Sequence, residues 1–193
     1  TFFQAYGRDN TECNYSVSRS VLNCALIEQC EEIGVRINFE HVVQNIDIEK
    51  KQLSFNFKNE NKIHNYDLLF ATDGSGSNVR KALTTKYPDR FKEQTDWLSS
   101  GYKELYMPAA SNGLQALEKN SLHIWPRATH MMMGLANLDG SFTMTLYLPN
   151  TDFKYSLDNI KTNDDIKNLF QNEFATAIPY MPNYLGDYQN NPQ

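Results

Sequence analysis

Apolar residues recur at three- and four-residue steps between Val17 and Ile33, which predicts an amphipathic helix. Ser18 suits the N-cap, and Gly34 follows the last turn as a C′ glycine commonly does. Alternating apolar and polar residues then predict strands at residues 35–40, 42–48 and 53–58. A short apolar run at residues 66–72 predicts a buried strand, and a helix is expected at residues 78–83.

Hairpin patterns dominate the second half of the chain. Strands are predicted at residues 122–126, 130–135 and 141–148, and Asp139-Gly140 marks the turn between the last two. A helix fits residues 164–173, and the end of the chain at residues 189–193 is polar and is expected to be loose. The chain is therefore predicted to be α/β (α+β), with a partial Rossmann-like domain in residues 1–90. A mixed β-sheet domain in residues 91–178 and a polar tail in residues 179–193 would follow.

Composition narrows the class of partner. The net charge is −5 and no basic stripe occurs, which argues against a nucleic-acid partner. Three cysteines without CxxC spacing argue against a disulfide framework or structural zinc and favour a reducing, cytoplasmic compartment. No run of residues has the length and apolarity of a membrane span, and no signal peptide is visible, while membrane attachment of a longer parent protein stays open. Because the sequence starts abruptly without Met, we expect an internal fragment of a longer protein.

One candidate site follows the predicted strand at residues 66–72. Asp73 would stand at its carboxyl end, where open α/β sheets bind ligands, and Gly74 and Gly76 would let a ligand approach the backbone. A helix N-terminus comes next, and Arg80 could reach back to Asp73. Taken alone, the segment is more often a simple turn with Asn78 as helix cap, since it lacks both GxGxxG and a P-loop lysine.

The predicted hairpin offers a second candidate site. Met131, Met133 and Leu135 share one strand face, and Thr143, Thr145 and Tyr147 share a face of the partner strand. Thioethers beside hydroxyl groups suit a flat aromatic ligand, although strand methionines more often fill a core. 

His123 and Arg127 are weaker candidates for a site. A strand histidine is usually structural, and no second histidine stands at metal-ligand spacing, so no metal site is predicted. A Ser–His–Asp triad stays open, but no GxSxG elbow supports it.

Several segments, in this order along the chain, resemble the kynurenine 3-monooxygenase family of class A flavoprotein hydroxylases, which are related to p-hydroxybenzoate hydroxylase. The Asp-Gly pair marks only the wider class, whereas the tryptophan-containing strand and the hairpin after it are more specific. The matching segments are Ala5-Tyr6-Gly7-Arg8-Asp9, Ser16-Val17-Ser18-Arg19, Ala71-Thr72-Asp73-Gly74, Gly101-Tyr102-Lys103-Glu104-Leu105, Leu122-His123-Ile124-Trp125-Pro126 and Asn137-Leu138-Asp139-Gly140-Ser141-Phe142-Thr143.

The resemblance implies a role for each matching residue. Tyr6 falls where the family binds the substrate carboxylate, and Arg19, Val43 and Asp73 fall at FAD contacts. Residues 1–90 would then be part of the FAD-binding domain, and residues 91–178 the substrate-binding domain. The sheet residues implied to cover the substrate ring are Met131, Met133, Leu135, Thr145 and Tyr147. Tyr147 stands where phenylalanine is expected, so its hydroxyl needs a partner if it is buried.

The resemblance also implies an activity. NADPH would reduce FAD, and the flavin would use O2 to hydroxylate L-kynurenine to 3-hydroxykynurenine, with no side chain of this chain assigned as a catalytic acid or base. The family's GxGxxG loop, its later Gly-Asp segment and its C-terminal helices have no match here, so we expect this fragment alone to be inactive and to hold no FAD. Another aromatic-ring hydroxylase, or a non-enzymatic sheet domain that binds a ligand or partner, stays open as an alternative.

Overall fold

The structure is a computed structural model that describes residues 2–9 and 11–191. Residues 24–96 form one compact unit, and residues 97–191 form another with residues 2–9 and 11–23. The helices are Arg19–Glu32 (α1), Asn78–Lys86 (α2), Asn163–Glu173 (α3) and Tyr184–Asn190 (α4), with a 3-10 turn at Ile178–Tyr180. The strands are Val42–Asp47 (β1), Gln52–Phe57 (β2), Glu60–Asn65 (β3), Ser100–Met107 (β4), His123–Pro126 (β5), Met131–Ala136 (β6) and Phe142–Pro149 (β7).

Helix α1 confirms the first predicted helix, including its glycine end. Gly34 adopts φ +86°, and the N–H of Val35 bonds back to the carbonyl of Cys30 at 2.9 Å, which is the Schellman arrangement. The strand predicted at residues 35–40 is wrong. Its first N–H is used by the helix end, and Glu40 turns the chain with φ +60°.

Strands β1, β2 and β3 form a three-stranded antiparallel sheet in that order. The predictions at residues 42–48 and 53–58 are confirmed, whereas β3 was not predicted because all six of its residues are exposed and mostly polar. A two-residue turn creates β3, since Lys58 and Asn59 both take positive φ, at 51° and 65°. That pattern fits the twist of a hairpin.

The buried strand predicted at residues 66–72 does not form. Leu68 is 73% exposed and Phe70 is 81% exposed, and the segment lies outside both sheets of the described chain. A strand is stabilised by its ladder partner as much as by apolar side chains. Among the described residues no strand pairs with this segment, so its apolar composition does not produce a strand.

The second sheet carries the order β4-β7-β6-β5. The predicted α/β class and the strands β5, β6 and β7 are confirmed, although every pair is antiparallel where a mixed sheet was expected. Asp139-Gly140 forms the expected β6–β7 turn, with Gly140 at φ +88°. One face of this sheet is the core face. The buried side chains on it and on the helices are Leu105, Met107, Met132, Phe142, Met144, Leu146, Leu148, Ile166, Leu169, Phe170 and Phe174.

Helix α3 confirms the last predicted helix and begins with a reciprocal cap. The Thr162 hydroxyl accepts the N–H of Asp165 at 3.2 Å, and the Asp165 carboxylate accepts the N–H of Thr162 at 2.9 Å. Gln189 and Asn190, which were expected to be loose, lie in α4, and the residues between α3 and α4 add to the core. Met181 is fully buried, and Tyr188 on α4 is 5% exposed.

Strand β4 was missed by the sequence analysis, and helix α4 covers its outer edge. The backbone N–H of Tyr106 donates to Asp187, and Asn191 donates to the carbonyl of Glu104 at 2.6 Å. The assignment of FAD binding to residues 1–90 and substrate binding to residues 91–178 stays a prediction, because compactness does not test what a domain binds.

Candidate functional site

Six predicted hairpin residues lie on one face of the four-stranded sheet. Met133 and Thr145 are direct Cα partners across β6 and β7, as are Met131 with Tyr147 and Leu135 with Thr143. All six are half-buried and alternate with core residues. We call this the open face. Strand register adds five further residues to it, which are Tyr102, Glu104, Tyr106, Ile124 and Pro126.

The core face shows why the methionines of the open face are not core filler. Met132 and Met144 are fully buried and occupy the core side of β6 and β7. Their packing requires Gly134, because a Cβ on that residue would lie 2.7 Å from the sulfur of Met144. Met131 and Met133 therefore face away from the core, as predicted, and are available to a ligand.

Tyr147 needs no internal partner for its hydroxyl, since it is half-buried rather than fully buried. Its ring lies 5.9 Å from that of Tyr102 on β4, at an interplanar angle of 46°. Such a tilted pair stabilises an aromatic end of the open face. The sequence assigned Tyr102 to a family-like segment but did not predict a strand there. The alternation of residues 102–107 was the signal that could have placed it on a strand.

Tyr6, predicted to bind the substrate carboxylate, lies in an irregular segment. It is 72% exposed, and its hydroxyl donates to the side-chain oxygen of Asn14 at 3.1 Å. The described residues do not enclose its ring. Its proposed contact with substrate stays a prediction.

The turn at Asp73 is a helix cap. Ser77 is the N-cap of α2, where Asn78 had been the expected cap, and its hydroxyl accepts the N–H of Arg80 at 3.0 Å. The same hydroxyl donates to Asp73 at 2.6 Å, and the N–H of Val79 donates to the other oxygen of Asp73 at 3.3 Å. The hydrogen bond from Ser77 is the main cause that lowers the pKa of the Asp73 carboxyl, and the backbone N–H of Val79 adds to it.

Arg80 does not reach Asp73, contrary to expectation. Its guanidinium pairs with Glu93 at 2.8 Å and also bonds the carbonyl of Ser75. Arg80 and Asp73 nevertheless both line an open cavity of about 420 Å³, together with Phe91 and Lys92. The cavity lies within residues 71–92, beside the start of α2.

The two other predicted flavin contacts differ in their surroundings. Val43 stands beside a bulge in β1, and its carbonyl accepts a hydrogen bond from the side chain of Asn78 at 3.0 Å. Arg19 is the first residue of α1 and is exposed. 

His123 and Arg127 are structural in this fold. A ring nitrogen of His123 lies 2.8 Å from the carbonyl of Glu118, and the ring packs edge-on against Phe142. Arg127 pairs with Glu173 at 3.1 Å and so ties the β5–β6 turn to α3. 

His130, which the sequence did not single out, is the more unusual histidine. Its side chain is 7% exposed, and its Nε2 lies 3.7 Å from Glu173 with no hydrogen-bond partner.

Residues 2–9 and 11–191 contain no cluster of three or more side chains placed to ligate a metal ion. Over the same residues, no helix is both long and apolar enough to cross a lipid bilayer.

Solved structures share this fold at low sequence identity. The flavin-dependent halogenase CmlS superposes with a TM-score of 0.54 at 11% identity, over 92% of this chain and 30% of its own. A variant of the flavin-dependent brominase Bmp2 superposes with a TM-score of 0.51 at 13% identity, over 93% of this chain and 43% of its own. No family model matches the chain.

Curated relatives are more similar. The kynurenine 3-monooxygenase of Stenotrophomonas maltophilia is 36% identical over 191 residues, 98% of this chain and 41% of that protein. The enzyme of Dictyostelium discoideum is 37% identical, over 98% of this chain and 40% of its own length. The enzyme of Flavobacterium psychrophilum is 34% identical, over 98% of this chain and 42% of its own length. The resemblance to kynurenine 3-monooxygenases is thus confirmed over nearly all of this chain, which spans about two fifths of the length of the relatives it matches.

Proposed function

We propose that this chain is part of an FAD- and NADPH-dependent monooxygenase that hydroxylates the aromatic ring of L-kynurenine to give 3-hydroxykynurenine. The observation that carries the proposal is the open face, where thioethers and hydroxyl groups stand side by side on the β6–β7 hairpin. The identity of 34–37% to curated kynurenine 3-monooxygenases supports the choice of substrate.

The side chains of the open face would bind and orient the substrate. Met131, Met133 and Leu135 offer polarisable and apolar surface to a flat ring. Thr145 and Tyr147 stand directly opposite two of them and can hydrogen-bond the polar groups next to the ring. In this proposal Tyr6 binds the substrate carboxylate. Packing of the substrate's aromatic ring against the sheet would also exclude water from the reacting carbon.

The predicted flavin contacts supply only part of a cofactor site. Asp73 and Val43 already accept hydrogen bonds within the protein. In the first turn of α2, the N–H of Val79 donates to Asp73 and the N–H of Arg80 donates to Ser77. Arg19 remains as an exposed cation that fits a phosphate or ribityl oxygen. These residues would contact FAD without holding it alone. The oxygenating chemistry would come from bound FAD and its reductant NADPH.

Cysteine chemistry supports a cytoplasmic location. Cys13, Cys24 and Cys30 are all free, and Cys13 and Cys24 are exposed. Exposed thiols persist most readily where the surroundings are reducing. 

The proposal is tested with a full-length enzyme that contains this segment. Purified protein should retain flavin, consume NADPH on addition of L-kynurenine and release 3-hydroxykynurenine, as identified by mass spectrometry. Met133→Asp places a carboxylate against the ring and should lower kcat/KM by at least about 10-fold, because a charge buried against an aromatic ring loses hydration. The matched control Ile63→Asp changes an exposed strand residue of the other sheet and should have no effect.

Two outcomes would contradict this function. A flavin-containing enzyme that hydroxylates a different aromatic compound and ignores kynurenine would favour another hydroxylase of the class. A protein that retains no flavin and binds an aromatic ligand without NADPH consumption would favour the non-enzymatic binding domain.

A further inference from the structure

Glu104 presents a carboxylate on the open face. It is the direct Cα partner of Thr145, so Glu104, Thr145 and Met133 lie in one row across β4, β7 and β6. Its side chain is exposed, and among the described residues none forms an ion pair with it. On the same strand face it is flanked by Tyr102 and Tyr106.

The backbone around Glu104 is fixed while its side chain is left available. The Glu104 carbonyl accepts a hydrogen bond from Asn191. The neighbouring cation, Lys103, donates to the carbonyl of Asn191 at 2.7 Å and lies over the ring of Tyr188. Lys103 is therefore engaged at the edge covered by α4 and does not neutralise Glu104.

A common reason for a charged residue on an outer strand does not apply here. Such charges often keep unpaired sheet edges from joining other chains. The outer edge of β4 is already covered by α4 through Asp187 and Asn191. Glu104 lies on the face of the strand rather than along that edge, so its exposed carboxylate is free to bind a ligand with a positive charge.

We propose that Glu104 binds the α-ammonium group of the aromatic amino-acid substrate. Neighbouring strands lie about 4.8 Å apart, which sets β4 roughly 10 Å from β6. When the ring rests on Met133 and the amino-acid end points toward β4, that end lies within reach of the Glu104 side chain. Glu104 is then a specificity-determining residue, which selects amino acids over aromatic acids that lack an ammonium group. This inference rests on the function proposed above.

The test uses a full-length enzyme that contains this segment, with two ligands. One is L-kynurenine, and the other is its deaminated analogue, in which hydrogen replaces the ammonium group. Glu104→Gln should lower kcat/KM for kynurenine by about 10- to 100-fold, mainly through KM, because a charged hydrogen bond is lost in ground and transition states alike. The deaminated analogue should be turned over equally well by both enzymes. Flavin content should not change.

Two further variants separate recognition from folding. Glu104→Asp keeps the charge and should recover part of the loss for kynurenine. Glu60→Gln removes an exposed glutamate from β3 and should leave both substrates unaffected. Equal losses on both substrates, or no loss on kynurenine, would overturn the role of Glu104 while leaving the proposed function in place. A wild-type enzyme that turns over no aromatic amino acid would overturn both.

Discussion

Asp187 accepts a hydrogen bond from the backbone N–H of Tyr106 at 3.0 Å, which joins helix α4 to the outer edge of β4. Asn191 and Lys103 add two more hydrogen bonds between α4 and the same strand. An uncovered outer strand exposes a row of donors and acceptors to other chains. Helix α4 therefore protects the β4 edge of the four-stranded sheet from pairing with other chains. The opposite edge of this sheet is the short strand β5.

Replacement of Asp187 by alanine should weaken this cover. The backbone donor of Tyr106 would lose a charged acceptor, and we expect the free energy of unfolding to fall by about 1–2 kcal/mol. Urea denaturation followed by circular dichroism measures the change. Asp158→Ala is the matched control, since that carboxylate is 67% exposed in a surface pair with Lys161 and should contribute little. Equal stability of the two variants would show that the hydrogen bond from Tyr106 to Asp187 does not help to hold α4 on β4.

His130 should make the stability of the sheet depend on pH. Burial lowers the pKa of His130, while the Glu173 carboxylate acts to raise this pKa and Arg127 acts to lower it. The rings of Tyr155 and Phe174 pack edge-on against the imidazole and offer it no charge. Because the folded state binds this proton less readily than the unfolded state, stability should fall as pH drops below about 6.5.

The His130 prediction is checked by urea unfolding at pH 7.5 and pH 5.5. His130→Gln should remove part of the stability loss between these two conditions, whereas His64→Gln on exposed β3 should not. The expected sign follows from burial of the neutral imidazole. If His130→Gln made the loss at the lower pH larger, His130 would be stabilised in its charged form by Glu173, contrary to the prediction.

The sequence predicted the open face because strand periodicity is a local property. Side chains at every second position share a face, so Met131 and Met133 could be separated from Met132 before the fold was known. The segment at residues 66–72 failed for the opposite reason, since no neighbouring sequence reveals whether a ladder partner is present. Helix α4 was missed because its polar residues, such as Asp187, act through contacts with a strand more than eighty residues away.

The turn at Asp73 was predictable from the sequence, but the hydrogen bonds of its carboxylate were not. The sequence placed Asp73 before a helix, which is confirmed, and could not show that Ser77 and Val79 already bond both carboxylate oxygens. Whether the Asp73 carboxylate caps α2 or contacts a ligand depends on its position relative to Ser77 and Val79. That position depends on the strand segment before Asp73, which did not form as predicted.

This chain alone should not bind FAD tightly. Asp73 and the N-terminal donors of α2 are occupied by each other, which leaves Arg19 as the main unengaged contact of those predicted. One exposed cation gives only a weak, salt-sensitive attraction to the cofactor's phosphates. Titration of the purified chain into FAD should leave flavin fluorescence unchanged. Stoichiometric quenching would contradict the prediction.

The assignment of Tyr6 to the substrate carboxylate can be tested in a full-length enzyme that contains this segment. Tyr6→Phe removes one hydroxyl, which donates to Asn14 and belongs to a side chain that is 72% exposed. A hydrogen bond to a charged group contributes roughly 1.5–3 kcal/mol, so kcat/KM for kynurenine should fall by about 10- to 150-fold. The loss should appear in KM, since the carboxylate contact persists through the reaction. Tyr15→Phe is the matched control, as Tyr15 is 89% exposed in the same segment and has no assigned role. Unchanged kinetics in Tyr6→Phe, with flavin content intact, would remove Tyr6 from the site and weaken kynurenine as the substrate.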